Sequence, residues 1–359
     1  MSSSAAFGAH GIPVTFAANN GEVGGGEVML LAMAGAAAKA GYAVTVVAPV
    51  ASHGVLSEAS DLGVEAVALA PDRRSYLADL RRWDRQRHGL LWANGLVPAL
   101  ATAGRCGRVV HLHRAPQGRS QRSAAALARR GALATVVPSR SLQRRVGGAI
   151  VLPNWHGPVG RTRATQPSAA GVTFGFIGRL APEKGIVVLL DAIEALVGQG
   201  SGVRLLVAGE ARFVTPEQRR QLEAALDRLG SSVERLGGVS PEELFDLVDV
   251  LVVPSTVAES FGLVVTEAMS ARVPVIVSDA GALPEVVGPS HPWVTRAGDA
   301  SALASTLRGF LTTTSKEREA VASAAYDRWI AHFSPQVGEA AFLTLLDDLI
   351  ARNHAVARP

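Results

Sequence analysis

Two glutamates bracket an apolar run in "ESFGLVVTEAM", which extends from Glu259 to Met269. The preceding "LVVPS" reads as a buried strand ending at Ser255, and Thr256 to Ser260 read as a loop. A helix is expected from Phe261 or Gly262 until shortly before Pro274. Glu259 then sits on the loop, and Glu267 lies about a turn and a half into the helix. On one continuous helix the two would stand about 80° apart; the loop bend lets both face one bound molecule at different heights. Between them, the amides of Gly262, Leu263 and Val264 are helix-start donors with no acceptor one turn earlier. Carboxylates accept paired hydrogen bonds from vicinal hydroxyls, and helix-start amides bind phosphate. Two merely solvated glutamates are the plainer alternative. Against it, Glu267 stands in an apolar neighbourhood, where burying an unpaired carboxylate is costly.

A second pair of charges follows the strand-like "VTFGFIG". In "GRLAPEKG" (178–185), Arg179 and Lys184 straddle a proline-containing turn that leads into a helix. Two cations at a strand end can grip both phosphates of a diphosphate, Arg as a fork and Lys as a point charge. Hydrogen bonds of this charge-assisted kind contribute about 1.5–3 kcal/mol each. Glu183 is placed to pair locally and hold the turn. A solvated Lys184 is the alternative, and only Lys39, Lys184 and Lys316 occur in this arginine-rich chain. Near the start, "NNGEVGGGE" (19–27) joins a strand to a helix, and Gly24, Gly25 and Gly26 would let backbone approach a ligand. The spacing is not that of a dinucleotide fingerprint, and no acidic residue ends the next strand. An ordinary turn is the competing reading.

These groups need strand ends to position them, and the chain supplies the strands. Apolar runs expected as strands fall at 12–18, 42–49, 64–70, 88–94, 108–113, 133–139 and 149–154, with an Ala-rich helix from about Glu27 to Ala40 closed by Gly41. The aperiodic "WHGPVGRTRATQPSAAG" (155–171) reads as a linker. The alternation then restarts with strands at 172–178, 204–210, 233–239, 249–255 and 274–279, and helices at 184–197, 216–229, 241–247, 262–271 and from about Ala300. Continuous apolar runs suit parallel strands covered on both faces. The fold class is therefore α/β, two doubly wound Rossmann-like domains facing a central cleft, with ligands beyond the carboxyl ends of the strands.

Composition narrows the function classes. The single cysteine, Cys106, excludes an internal disulfide and a multi-thiolate zinc site. The longest apolar run, "VMLLAMAGAAA", is too short to span a bilayer, and no secretory signal is visible at the N-terminus. A cytoplasmic protein is expected. The net charge of +4 is asymmetric: residues 1–160 carry 17 Lys and Arg against 8 Asp and Glu, and no carboxylate occurs between Asp84 and Glu183. A solvated arginine-rich face is one reading. The other is contact with something anionic, such as an acceptor phosphate or the inner face of a membrane. Aromatic residues, 5% of the chain, are not interleaved with the basic ones, so nucleic acid is not expected.

At this point the chain resembles the retaining glycosyltransferases of family 4, which have the GT-B fold. The resemblance rests on "GFIGRLAPEKG", on Glu259 and Glu267 within "PSTVAESFGLVVTEAMSARVPVIVSDAGALPEVV", on "GGGE", "VVHLH" and "VLPN", and it is most specific over 172–287. It implies an N-terminal acceptor-side domain at 1–165, a nucleotide-sugar domain at 166–335, and a C-terminal helix at about 336–359 that packs back on the first. It implies a nucleotide-diphosphate hexose donor, GDP- or UDP-linked, with Arg179 and Lys184 on the diphosphate and Glu267 on the ribose. Glu259 and the backbone from Ser260 through Phe261 and Gly262 to Leu263 would meet the sugar. The base would lie near Gly209, Glu210 and Val239, and Gly25 and Gly26 would close on the phosphates. His113, rather than His111, would contact the transferred sugar. No cofactor and no metal are implied. Two departures bear on the acceptor: Trp155 stands where the family has the glycine of "PNG" and would shield the cleft or alter acceptor access, and Arg114 follows the histidine. Rival readings are a sugar-nucleotide-binding module without turnover and a sugar-nucleotide epimerase on the same plan.

Overall fold

The computed structural model of the chain describes residues 11–50, 54–70, 72–161, 171–211 and 214–356. It contains two compact units, Met1–Trp155 with Pro335–Pro359, and His156–Ser334.

In the first unit the strands are β1 (Pro13–Ala17), β2 (Ala43–Ala48), β3 (Glu65–Ala68), β4 (Leu90–Asn94), β5 (Arg108–His111), β6 (Ala134–Val137) and β7 (Ile150–Val151). They form one parallel sheet in the order β3-β2-β1-β4-β5-β6-β7. Helices α1 (Gly25–Lys39), α2 (Val55–Asp61), α3 (Arg73–Trp83), α4 (Leu96–Ala101), α5 (Gly118–Ala128) and α6 (Arg140–Val146) alternate with them. Every residue of β4 is buried, as its unbroken apolar run requires of a strand covered on both faces.

The second unit repeats the plan. Strands β8 (Val172–Ile177), β9 (Val203–Ala208), β10 (Val233–Gly237), β11 (Val250–Val253), β12 (Val275–Ser278) and β13 (Val294–Thr295) run parallel in the order β10-β9-β8-β11-β12-β13. The helices are α7 (Ile186–Val197), α8 (Pro216–Leu229), α9 (Pro241–Phe245), α10 (Leu263–Ser270), α11 (Leu283–Val287), α12 (Ala300–Thr312) and α13 (Ser315–Phe333). Helix α14 (Pro335–Val356) then returns to the first unit. Its Phe342 ring stands 5.4 Å from Trp92, 6.0 Å from Trp155 and 6.2 Å from Phe16, and Leu346, Leu349 and Ile350 join the same core.

Two expectations change. Trp155 is 2% exposed and lies against α14, where a Cβ on Gly338 would meet its ring at 2.3 Å. The large apolar ring is spent on the core of the first unit and does not shield a cleft. The expected boundary near 165/166 falls within 162–170, outside the described residues, and the chain has already joined the second unit at His156. The reason is hydrogen bonding: His156 Nε2 stands 3.0 Å from Thr266 Oγ1, Val159 N donates to Ser270 Oγ at 3.1 Å, and Arg161 donates to the Phe245 and Val248 carbonyls.

The arginines of the first unit divide into two groups. Asp84 is buried against Arg87 at 2.7 Å and Arg105 at 2.5 Å. Arg108 is wholly buried and donates to the carbonyls of Arg105, Ala99, Ala128 and Arg130. It serves backbone carbonyls in and after helices α4 and α5, of which that of Arg130 also accepts from Gly104 N at 2.9 Å. Arg129 donates to Thr135 and to the carbonyls of Val146 and Gly147. Arg85, Arg114, Arg119, Arg122, Arg144 and Arg145 are exposed.

Candidate functional site

All six strands of the second sheet run the same way, so their carboxyl-end loops share one edge. The strand order turns between β8 and β11, the place where a crevice opens in such sheets. The loop after β8 carries Arg179 and Lys184, and the loop after β11 carries Ser255 and Glu259. Lys184 Nζ stands 2.7 Å from Glu259 Oε1, and Ser255 Oγ donates to that same oxygen at 2.6 Å. Glu259 is also held by its backbone: its N–H donates to the Ala280 carbonyl at 3.3 Å and its carbonyl accepts from Ala282 N at 3.0 Å. Three loops thus fix one carboxylate. Oε1 is occupied, so Oε2 is the acceptor that remains for a ligand.

The turn that presents Lys184 depends on Gly185. This residue adopts φ +74°, and a Cβ there would lie 1.9 Å from the Pro254 carbonyl oxygen. Gly185→Ala is expected to lower stability by roughly 2–4 kcal/mol and to displace Lys184. A urea midpoint that stays at the wild-type value would contradict this.

Arg179 pairs with Glu183 at 3.1 Å, each side chain about a third exposed. An exposed pair of this kind contributes about 0–1 kcal/mol, so the guanidinium can exchange Glu183 for a diphosphate at small cost. Thr256 N donates to the Glu183 carbonyl at 3.0 Å, which ties the turn to the β11 loop.

Glu267 is half-buried on α10, and its carboxylate makes no hydrogen bond among the described residues. Burial, with the Glu242 carboxylate adding to it, pushes its pKa from 4.5 up to about 7. The helix begins one residue later than the range expected for it, at Leu263, with Gly262 left-handed at φ +102° as its cap. The first amides that find an acceptor are those of Val265 and Thr266, both on the Gly262 carbonyl. Phe261 is 4% exposed with its ring 5.4 Å from Phe333, so its side chain belongs to the core and only its backbone borders the loop. On the other side of β8, Gly209 adopts φ +127°, and a Cβ there would lie 1.9 Å from the Gly178 carbonyl oxygen. Glu210 accepts from Leu180 N through its carbonyl, and Val239 packs partly buried against the core. Arg179, Lys184, Gly209, Glu210, Val239, Glu259, Ser260 and Gly262 therefore lie on carboxyl-end loops at one sheet edge of the second unit, while Leu263 opens α10 and Glu267 stands in its middle.

In the first unit, Gly25 and Gly26 open α1 beyond β1, and His113 follows β5. A Cβ on Gly26 would meet the His113 ring at 3.2 Å. His113 Nε2 lies 2.7 Å from Asn94 Oδ1, and burial lowers its pKa to about 4. His111 is fully buried, accepts from Trp92 Nε1 at 3.2 Å, and is held well below the usual imidazole range by burial and by His113.

Four residues escaped sequence reasoning. Ser255 was read only as a strand end, and Glu242 only as part of a helix. Asn94 ends β4 and was unremarked. Glu27 is the fourth: it is 5% exposed, its carboxylate accepts hydrogen bonds from the amides of Asn20, Gly24 and Glu27 itself, and burial raises its pKa. The amides of the glycine-rich loop thus already serve an anion from within the chain. A glutamate directly after three glycines at a helix start was the available signal.

The family model described as glycosyl transferases group 1 matches residues 171–313. The lipopolysaccharide 1,2-N-acetylglucosaminetransferase of Salmonella typhimurium is 32% identical over 119 residues, 31% of this chain and 31% of that protein. The phosphatidyl-myo-inositol mannosyltransferase of Mycobacterium tuberculosis is 36% identical over 121 residues, 33% of this chain and 30% of that protein. The chain spans about a third of the length of the curated relatives it matches. Among solved structures, Anabaena Alr3699/HepE in complex with UDP-glucose aligns with a TM-score of 0.79 and 23% identity, over 94% of this chain and 100% of that one. That likeness over nearly the whole chain, with two parallel sheets of doubly wound order, shows the GT-B fold.

Proposed function

We propose that this chain, whose residues 171–313 match the family model described as glycosyl transferases group 1, is a retaining hexosyltransferase. It would move a hexose from a GDP- or UDP-sugar to a hydroxyl acceptor, in the synthesis of an envelope glycan, glycolipid or natural-product glycoside. The observation that carries this reading is the pairing of Lys184 with Glu259 across the turning point of the sheet, with Arg179 on the same loop as Lys184 and, on the helix after Glu259, a Glu267 carboxylate that has no hydrogen bond among the described residues. That HepE was solved with UDP-glucose supports a nucleotide-sugar donor.

In this mechanism Arg179 and Lys184 neutralise the charge that grows on the departing diphosphate, the largest catalytic term for such a step, and no bound metal is required. One of the three Nζ donors of Lys184 is occupied by Glu259, which leaves two for phosphate oxygens. The Glu259 carboxylate, fixed through Oε1, offers Oε2 to a sugar hydroxyl. Glu267 accepts from the ribose hydroxyls once ionised. The acceptor hydroxyl attacks the face the diphosphate leaves, without an enzyme nucleophile.

The acceptor is read as anionic or lipid-linked, because Arg114, Arg119, Arg122, Arg144 and Arg145 remain exposed after the structural arginines are set aside. Peripheral contact with an anionic membrane at its cytoplasmic face follows from the same charges. No helix among the described residues is long and apolar enough to cross a membrane.

Incubation with a panel of nucleotide-sugars and candidate acceptors, following released nucleoside diphosphate, tests the reading. A transferase releases diphosphate only with acceptor and gives an α-linked product from an α-linked donor. Binding without release would support the module without turnover, and a modified nucleotide-sugar formed without acceptor would support the epimerase.

A further inference from the structure

The carboxyl end of β4 carries a polar side chain that none of these roles uses. Asn94 is fully buried at the turning point of the first sheet, between β1 and β4. Its Nδ2 donates to the Gly26 carbonyl at 2.9 Å, and its Oδ1 stands 2.7 Å from His113 Nε2. A carbonyl only accepts, so the amide nitrogen must face Gly26 and the amide oxygen must face His113. Nε2 of His113 therefore carries the proton, and Nδ1 is left with a lone pair and no partner among the described residues.

The neighbouring groups agree with a neutral ring. Indole N–H only donates, so the contact of Trp92 with His111 Nδ1 places the proton of His111 on Nε2 as well. The two imidazole centroids are 4.0 Å apart, and burial disfavours charge on either. Glu27, next to Gly26, turns its carboxylate to Asn20 and Gly24, and Arg114 is exposed to solvent.

We propose that Asn94 is a positioning residue for the transfer: it locks His113 in the Nε2–H tautomer, ties the ring to the first turn of α1, and so presents Nδ1 as a hydrogen-bond acceptor for a substrate hydroxyl. The last clause rests on the transferase reading; the tautomer does not. Asn94→Ala releases the ring and is expected to lower kcat/KM about 10- to 100-fold, the scale of a misplacement near 1 Å. Asn94→Asp places a carboxylate beside Nε2, which favours the imidazolium and removes the acceptor at Nδ1.

The test is long-range proton–nitrogen NMR on histidine-labelled full chain without nucleotide. In the wild type, His113 is expected to show an unprotonated Nδ1 and a protonated Nε2. In Asn94→Asp its titration midpoint is expected to rise by more than about one unit. A wild-type His113 protonated at Nδ1 overturns the inference, whether or not the variants fold. An unshifted midpoint in a folded Asn94→Asp does so too. Absence of donor binding together with the expected tautomer would instead count against the transferase reading alone.

Discussion

Lys184→Ala is expected to lower kcat by about 100- to 1,000-fold, the effect of removing one preorganised donor from a developing anion. The Lys184–Glu259 pair is part-buried, its side chains 31% and 17% exposed, and Ser255 keeps one hydrogen bond on the same carboxylate oxygen, so stability is expected to fall by about 1–3 kcal/mol. The variant separates the two roles the lysine could have when turnover is measured well below its melting temperature. As a structural partner of Glu259 alone, its loss would lower the melting temperature and leave turnover of the folded protein similar; as the diphosphate cation, its loss cuts turnover of the folded protein as well. Lys184→Arg should recover only part of the rate, because the planar fork cannot place a compact charge on the turn before Gly185. Turnover by diphosphate release and melting by calorimetry, measured on the same samples, decide between the two.

Glu267→Gln is expected to stabilise the unliganded protein and weaken donor binding. In the folded state the carboxyl pKa is raised from 4.5 to about 7, by burial first and Glu242 second. A raised carboxyl binds its proton more tightly when folded, so its contribution to stability is complete below the unfolded value and is lost as pH climbs to about 7. At pH 8 the ionised group costs on the order of 3 kcal/mol, which a neutral amide of the same shape removes. The melting temperature of Glu267→Gln should thus exceed wild type at pH 8 and match it at pH 4. Donor affinity should fall about 10- to 100-fold, since the ribose hydroxyls lose a charged acceptor. Wild-type affinity should itself weaken about tenfold between pH 8 and pH 6, as the ionised fraction falls. The variant should show no such slope. A wild type with no pH dependence would place Glu267 outside the donor site.

The strands were legible because each parallel strand is an apolar run with a glycine or proline near its end, as in "VTFGFIG" and "LVVPS". Most observed strands end one or two residues earlier than expected, where loop residues begin; β7, expected over 149–154, keeps only Ile150–Val151, and β9 starts one residue earlier, at Val203. Helices α2, α4, α5 and α6 were harder. They are short, and α5 and α6 carry arginines in the first turn where acidic residues would mark a helix start. The charged site groups of the second unit were readable because a rare lysine and a glutamate in apolar surroundings are expensive to place without purpose. The polar bridges were not. Nothing in the spacing of Ser255 and Glu259 reveals a shared oxygen, and the link from Asn94 to Gly26 and His113 joins positions far apart in sequence. Trp155 shows the opposite error: a departure from a motif was read as functional, and it fills the core.

The most direct test is a crystal structure of the chain soaked with a uridine or guanosine diphosphate hexose. The diphosphate should lie between Arg179 and Lys184, the ribose hydroxyls on Glu267, and the sugar beside Oε2 of Glu259. A nucleotide bound elsewhere on the chain, or seated here with Glu267 and Lys184 turned away from it, would contradict the account.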